Sequence, residues 1–321
     1  MKTKPRQLSR IIRLQRIVKN PFLITGMHSV RYLTGFTGSC GAVLLTPDSA
    51  LLITDRRYEE QAAVQVPDEF SIIYQDGRLG ATVQPWLGEA RRLLLEAESV
   101  TLAQRDALAE SLPGVELEGA ASPVLKMRRI KDKGEVRRIE EALRLTEEVM
   151  VYAAGIIRPG MRERQLAAMM ERYGKSKGAK GASFDFIIAS GARSSLPHGE
   201  ASEKVIGRNE IVMFDFGFAL NGYCSDFTRM LFTGKKPPAP LQRAWSLVRE
   251  AQEIGFSKIR AGESLAAPDT AVRIFFQKNR VLKRYLHSLG HGVGLEIHES
   301  PRFSWRSEGD QEPGMVITVE P

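Results

Sequence analysis

Cysteine is nearly absent: Cys40 and Cys224 are the only two in 321 residues. No disulfide framework can hold the chain, and a reducing, cytoplasmic setting fits it. Also missing is any apolar run near the ~20 residues of a membrane-spanning helix. Arg13 and Arg16 interrupt the N-terminal stretch where a secretory signal would need its apolar core, so no membrane partner is expected. Acid is lacking locally. Residues 1–20 hold Lys2, Lys4, Arg6, Arg10, Arg13, Arg16 and Lys19 without one Asp or Glu, so nearly all of the formal net charge of +8 sits in this arm. Such an arm suits phosphate or an organelle address. Leu8, Ile11, Leu14 and Val18, however, follow helical spacing, which predicts an amphipathic helix with a solvated basic face and no nucleic-acid partner. What remains, 43% hydrophobic and 26% charged, is an ordinary globular composition, long enough for one large or two medium domains.

Short β-rich runs open the chain after the arm, at Phe22–Thr25, Ala42–Leu45 and Ala50–Thr54. Helices are predicted over Arg57–Val64 and Gln84–Glu96, with a strand at Ser99–Leu102, an alternation that reads as an α/β domain. Turn residues from Leu112 to Pro123 mark its end. A long helix starts near Asp132, in capping-box spacing with Glu135, and its stripe Val136, Ile139, Leu143, Thr146 and Met150 faces a core. A weak internal echo follows. Ile157–Gly160 precedes a helical stretch leading to His198, and Ile259–Gly262 precedes another leading to His298, as in a duplicated half.

Histidine is scarce too, with five in all, yet His198 and the trio His287, His291 and His298 occupy two short segments. Only His28 stands apart. Between these segments, Ile211–Ala219 and Tyr223–Phe232 flank Asn221-Gly222, whose residue types suit a type I′ hairpin turn. That turn places Leu220 opposite Tyr223 and Asp215 opposite Thr228, with Asp226 two residues away on the same strand face. Two close carboxylates among apolar neighbours repel each other and lose hydration, and a divalent cation relieves both costs. Glu320 adds a third acid at the tip of the β-like run Met315–Val319. Hard oxygens with imidazole suit Mn²⁺, Co²⁺ or Zn²⁺, whereas Cys224 reads as a small buried residue before it reads as a soft ligand. No His-Glu-x-x-His helix or phosphate-binding loop is present.

Tyr32–Ser39, Pro197–Gly199, Asp215–Gly217, Gly222–Arg229, His287–His298 and Glu312–Pro321 together resemble the aminopeptidase P and prolidase branch of the pita-bread, creatinase-like metallopeptidases. The resemblance implies an α/β creatinase-like N-terminal domain over residues 1–125. Residues 126–321 would form an α+β pita-bread catalytic domain with pseudo-two-fold halves. It implies two divalent metal ions, with manganese first and cobalt or zinc as substitutes, held by Asp215, Asp226, His291 and Glu320, Asp226 bridging both. It also implies that His198, His287 and His298 line the substrate pocket. Such enzymes supply a second bridging glutamate downstream of the position of Glu320, and this chain stops at Pro321. Truncation is therefore expected, with the second ion depending on the missing ligand.

The implied reaction is hydrolysis of an Xaa-Pro bond, releasing the N-terminal residue of a proline-containing peptide. In that implied reaction two cations about 3.5 Å apart would lower the pKa of a shared water and hold hydroxide against the scissile carbonyl. The implied catalytic residues are Glu320 as proton acceptor, His298 as donor to the oxyanion and His198 as an orienting group. A homodimer is the expected assembly. The alternatives are a binding homologue inactive for want of the last glutamate, and a metal-free creatinase-type amidinohydrolase.

Overall fold

A computed structural model describes residues 4–321, with side chains from Ser9 onward, and the chain divides into two compact units, Met1–Arg128 and Arg129–Pro321. In the first unit, helix α1 (Lys4–Gln15) buries Ile11 and Leu14, with Val18 buried just beyond its end, while Arg13, Arg16 and Lys19 are exposed. The side chain of Leu8 lies outside the described residues. Arg10 departs from the expected solvated face. It is buried, with its guanidinium 3.6 Å over the Tyr32 ring and donating to the Tyr32 carbonyl at 2.7 Å, a stacked pair that offsets its desolvation.

Strands β1 (Phe22–Ile24), β2 (Ala42–Leu45) and β3 (Ala50–Thr54) form at the expected apolar runs. With β4 (Ser71–Tyr74), β5 (Arg92–Glu96) and β6 (Glu116–Ala120) they build one mixed sheet in the order β4-β3-β2-β1-β5-β6. Helices α2 (Met27–Thr34), α3 (Glu59–Gln65), α4 (Leu79–Val83), α5 (Leu102–Ser111) and α6 (Pro123–Arg128) complete the unit. Two local expectations fail. The segment Gln84–Glu96 is not a helix: a 3₁₀ turn ends before Gly88, which takes φ +57°, and Arg92–Glu96 becomes β5. Leu93 and Leu95 are buried there between β1 and β6, so tertiary burial overrides helical propensity. Ser99–Leu102 is a helix start, because the Thr101 hydroxyl and the Gln104 side chain form a capping box on α5. The turn-rich stretch from Leu112 to Pro123 also holds the edge strand β6.

The second unit opens as predicted. The Asp132 carboxylate accepts from Gly134 and Glu135 N–H at 2.8 and 3.0 Å, and Glu135 reaches back to Asp132 N–H at 3.0 Å, starting α7 (Lys133–Ile156). Its buried face is Ile139, Ala142, Leu145, Thr146, Val149, Met150 and Ala153, so Val136 and Leu143 flank the stripe and are only half-buried. The face is turned because Glu135 points inward, its carboxylate accepting from the Tyr223 hydroxyl at 2.9 Å. Helix α8 (Glu163–Ser176) packs on α7. β7 (Gly181–Ala182) pairs with β10 (Phe218–Leu220), which pairs with β11 (Tyr223–Cys224), and β8 (Ile187–Ser190), β9 (Ile211–Phe216) and β12 (Phe227–Phe232) form a second small sheet in the order β12-β9-β8. Then come α9 (Ala239–Ser257), α10 (Ala267–Lys278), and the paired strands β13 (Gly290–Gly292) and β14 (Glu299–Phe303).

The echo in the sequence is a structural repeat. Gly160 and Gly262 both take positive φ, and their N–H groups donate to the carbonyls of Ile206 and Gln311 at 2.9 and 2.8 Å. Two residues on, Arg162 bridges Val205 and Ser264 bridges Asp310, both antiparallel. Each half has its own core, one around Phe214, Phe216 and Phe218, the other around Val272, Phe276, Leu289 and Phe303. The run Met315–Val319 is half-buried and extended, and it lies antiparallel to β13 through the bridge Gly292–Ile317 and flanking backbone hydrogen bonds, short of a full strand.

Candidate metal centre

The Asn221-Gly222 turn sets the register of the first ligand segment. Both residues take positive φ, 52° and 87°, as a type I′ turn requires, and Leu220 lies opposite Tyr223 and Asp215 opposite Thr228. The hairpin is not continuous. It is split between two sheets at Gly217 and at Ser225-Asp226, where the backbones approach so closely that a Cβ on Gly217 would lie 1.9 Å from the Ser225 carbonyl oxygen. The kink frees Asp226 from strand pairing. Ser225 is held at its base by hydroxyl contact with Thr146 at 2.6 Å and by accepting the Phe218 N–H at 3.0 Å. Cys224 is buried, its N–H donating to the Gly294 carbonyl at 2.7 Å and its thiol contacting the Leu295 carbonyl, so it packs and takes no part in the ligand cluster.

The second half supplies the remaining donors through close backbone approach. A Cβ on Gly290 would lie 2.0 Å from the Thr318 carbonyl oxygen. Thr318 N–H donates to the His291 carbonyl at 2.8 Å, His291 N–H to the Thr318 hydroxyl at 3.1 Å, and Glu320 N–H to the Leu289 carbonyl at 2.7 Å. This ladder lays Glu320 beside His291. The His291 Nδ1 sits 3.0 Å from the Gly292 carbonyl, which can only accept, so Nδ1 carries a proton and Nε2 is the nitrogen turned toward the acids. That Nε2 is 3.4 Å from Asp226 Oδ2 and 3.4 Å from Glu320 Oε1.

One donor atom each from Asp226, His291 and Glu320 lies within 4.8 Å of the others. Asp215 stands outside that trio yet is coupled to it. Its carboxyl is pushed up to about 7, by burial first and then by the Asp226 charge, with Glu320 adding and the Thr228 hydroxyl at 3.0 Å and His291 opposing. Glu320 is raised in the same way, by burial and then by Asp226. Burial lowers His291, but the Asp226 carboxylate, the Gly292 carbonyl and the Glu320 charge outweigh it and leave the imidazole raised. Glu320 Oε1 is buried without a hydrogen-bond partner. Mutually repelling carboxylates, an acceptor lacking a donor and an imidazole whose Nε2 turns inward among them are the features a divalent ion satisfies. The residues present fit such an ion.

The histidines divide. The His298 ring lies edge-on to His291 with centroids 4.4 Å apart, and its imidazole is lowered by burial and then by the His291 charge. His287 is exposed but faces the cluster closely enough for its charge to pull on Glu320, and its ring rests against Tyr285 at 5.3 Å. His198 is exposed on the turn after a 3₁₀ segment, and the interactions that join the cluster do not include its ring. Reading the sequence missed the residues that place the donors, namely Thr318, Thr146 and Ser225. Their only sequence signal is proximity to a ligand or a glycine, which many residues share.

Residues 137–321 match the metallopeptidase family M24 model, and residues 14–130 match that of the creatinase/prolidase N-terminal domain. An uncharacterized peptidase of Bacillus subtilis is 40% identical over 301 residues, covering 93% of this chain and 85% of its own. An Xaa-Pro dipeptidase of Pyrococcus furiosus is 41% identical over 195 residues, 61% of this chain and 56% of its own. The solved Xaa-Pro dipeptidase from Bacillus anthracis superposes with a TM-score of 0.94 at 36% identity, covering 98% of this chain and 90% of that one. Sheet order, donor geometry and these likenesses agree: the chain belongs to metallopeptidase family M24, with a creatinase/prolidase N-terminal domain preceding a pita-bread catalytic domain.

Proposed function

We propose that this protein hydrolyses the Xaa-Pro peptide bond, releasing the N-terminal residue from proline-containing peptides in a reaction that depends on divalent metal. The observation that carries this reading is the convergence of Asp226, His291 and Glu320 within 4.8 Å, with Asp215 electrostatically coupled to them. The likeness to Xaa-Pro dipeptidases supports the substrate class. Asp215, Asp226, His291 and Glu320 would hold the ions, with manganese favoured by the oxygen-rich set. When bound, divalent ions supply Lewis acidity that activates water and polarises the scissile carbonyl.

The side chains do the rest. Glu320, with its unpartnered oxygen, accepts the proton of the attacking water. His298 donates to the carbonyl oxygen as negative charge develops there, where a positioned donor contributes most. His287 and His198 orient the peptide from the rim. Proline offers no N–H at the scissile bond, so recognition rests on ring shape and on the carbonyl. Residues 1–125 would act as the creatinase-like partner domain and residues 126–321 carry the chemistry, in a cytoplasmic homodimer.

The test is turnover of an Xaa-Pro dipeptide and an Xaa-Pro-Yaa tripeptide after chelation and after return of Mn²⁺. Asp226→Asn is expected to abolish Mn²⁺-dependent turnover while circular dichroism stays that of the parent. Full activity in that variant would discard the assignment. Turnover that survives chelation would instead favour the metal-free amidinohydrolase chemistry.

A further inference from the structure

Lys131 and Glu299 form the most deeply enclosed ion pair among the described residues near the centre. Lys131 Nζ lies 3.1 Å from Glu299 Oε2, and the two side chains are 1% and 6% exposed. Glu299 directly follows His298. Its other carboxylate oxygen accepts the Glu296 N–H at 3.1 Å, and the carboxylate fills the space where a Cβ on Gly294 would lie 2.6 Å from Oε2. The loop between His291 and His298 is therefore wrapped around one carboxylate. Lys131 Nζ pairs with the Oε2 of that carboxylate, and its own backbone N–H donates to the Gly314 carbonyl at 2.8 Å, at the turn from which the Glu320 segment departs. A single lysine thus touches both the loop that ends in His298 and the segment that ends in Glu320.

A buried ion pair is a poor source of stability, since desolvation cancels much of its attraction, whereas losing one partner leaves an uncompensated charge. Its value is geometric. We infer that Lys131 and Glu299 are positioning residues whose ion pair fixes the 294–298 loop and so aims His298 at the scissile carbonyl. This rests on the function proposed above. The consequence falls on His298 first, because the Glu299 carboxylate meets Gly294 and Glu296, whereas the His291 ring is held by the Gly292 carbonyl just before that wrap.

The experiment uses Lys131→Met, Glu299→Gln and the double variant Lys131→Met/Glu299→Leu in the full chain. Each single variant is expected to lower kcat about 10²-fold, the scale of a small misplacement of a reacting group, with KM changed less. Mn²⁺ affinity by calorimetry stays within about threefold of the parent; a loss of about tenfold or more, as when a ligand's own support is removed, would make the pair a metal-site brace and overturn the inference. In the double variant, no charge is left buried and unpaired, so Tm rises above that of Lys131→Met while kcat remains low. Recovery of kcat together with Tm would mean that the pair only stabilises the fold, and the inference would be wrong. A parent chain that cleaves no Xaa-Pro substrate would defeat the function but not this test. The ring ¹⁵N resonances of His298 should still shift in each single variant, and unchanged resonances would overturn the inference.

Discussion

His298 is exposed yet packs its ring against His291, an arrangement that suits a donor more than a structural residue. Removing it should therefore act on the chemical step. His298→Ala is expected to lower kcat by ~10²-fold or more in steady-state assays with Mn²⁺ present. An effect confined to KM would move it to substrate binding. At this scale the sequence was informative about chemistry and nearly silent about support. Asp226, His291 and Glu320 announce themselves as scarce or misplaced polar residues among apolar runs. Lys131 does not, because a lysine before a helix cap is ordinary and its partner Glu299 is 168 positions away. His198 shows the converse: its residue type drew attention, but its ring lies outside the interactions that join the cluster.

Among elements, turns carried the register and burial decided the identities. The two positive-φ residues Asn221 and Gly222 can sit in few other turns, so the pairing of Asp215 with Thr228 followed from local chemistry alone. Asn221→Ala should cost ~1 kcal/mol in urea unfolding, because alanine tolerates the left-handed region poorly. Gly290→Ala is a harsher change, since its Cβ would meet the Thr318 carbonyl oxygen at 2.0 Å. A loss of about 1–3 kcal/mol is expected, together with weakened Mn²⁺ binding by calorimetry. Unchanged affinity would mean that the ladder does not place Glu320. The segment Gln84–Leu102 was misread because its leucines suit a helix or a central strand equally. Only the neighbours β1 and β6, distant in sequence, select the strand.

For the catalytic unit as a whole, the two short echoes gave only a weak sign of duplication, and the structure supplies the rest, a glycine turn and the bridge beyond it in each half. The existence of two separate cores was not legible, because the aromatic residues of the first and the mixed residues of the second share no period. Metal should bind the folded chain alone, so Mn²⁺ at 100 times its Kd is expected to stabilise it by about 2.7 kcal/mol. Calorimetric scans with and without chelator measure this. Asp226→Asn should lose most of that increment.

The donors belong to different cores: Asp215 and Asp226 extend from the first, His291 and Glu320 from the second. An ion chelated by both would work as a rivet across a seam. Withdrawing it should let amide protons along residues 223–226 and 289–294 exchange faster, while Phe214 and Phe276 deep in either core keep their protection. Peptide hydrolysis and cohesion of the halves would then share a single fastening.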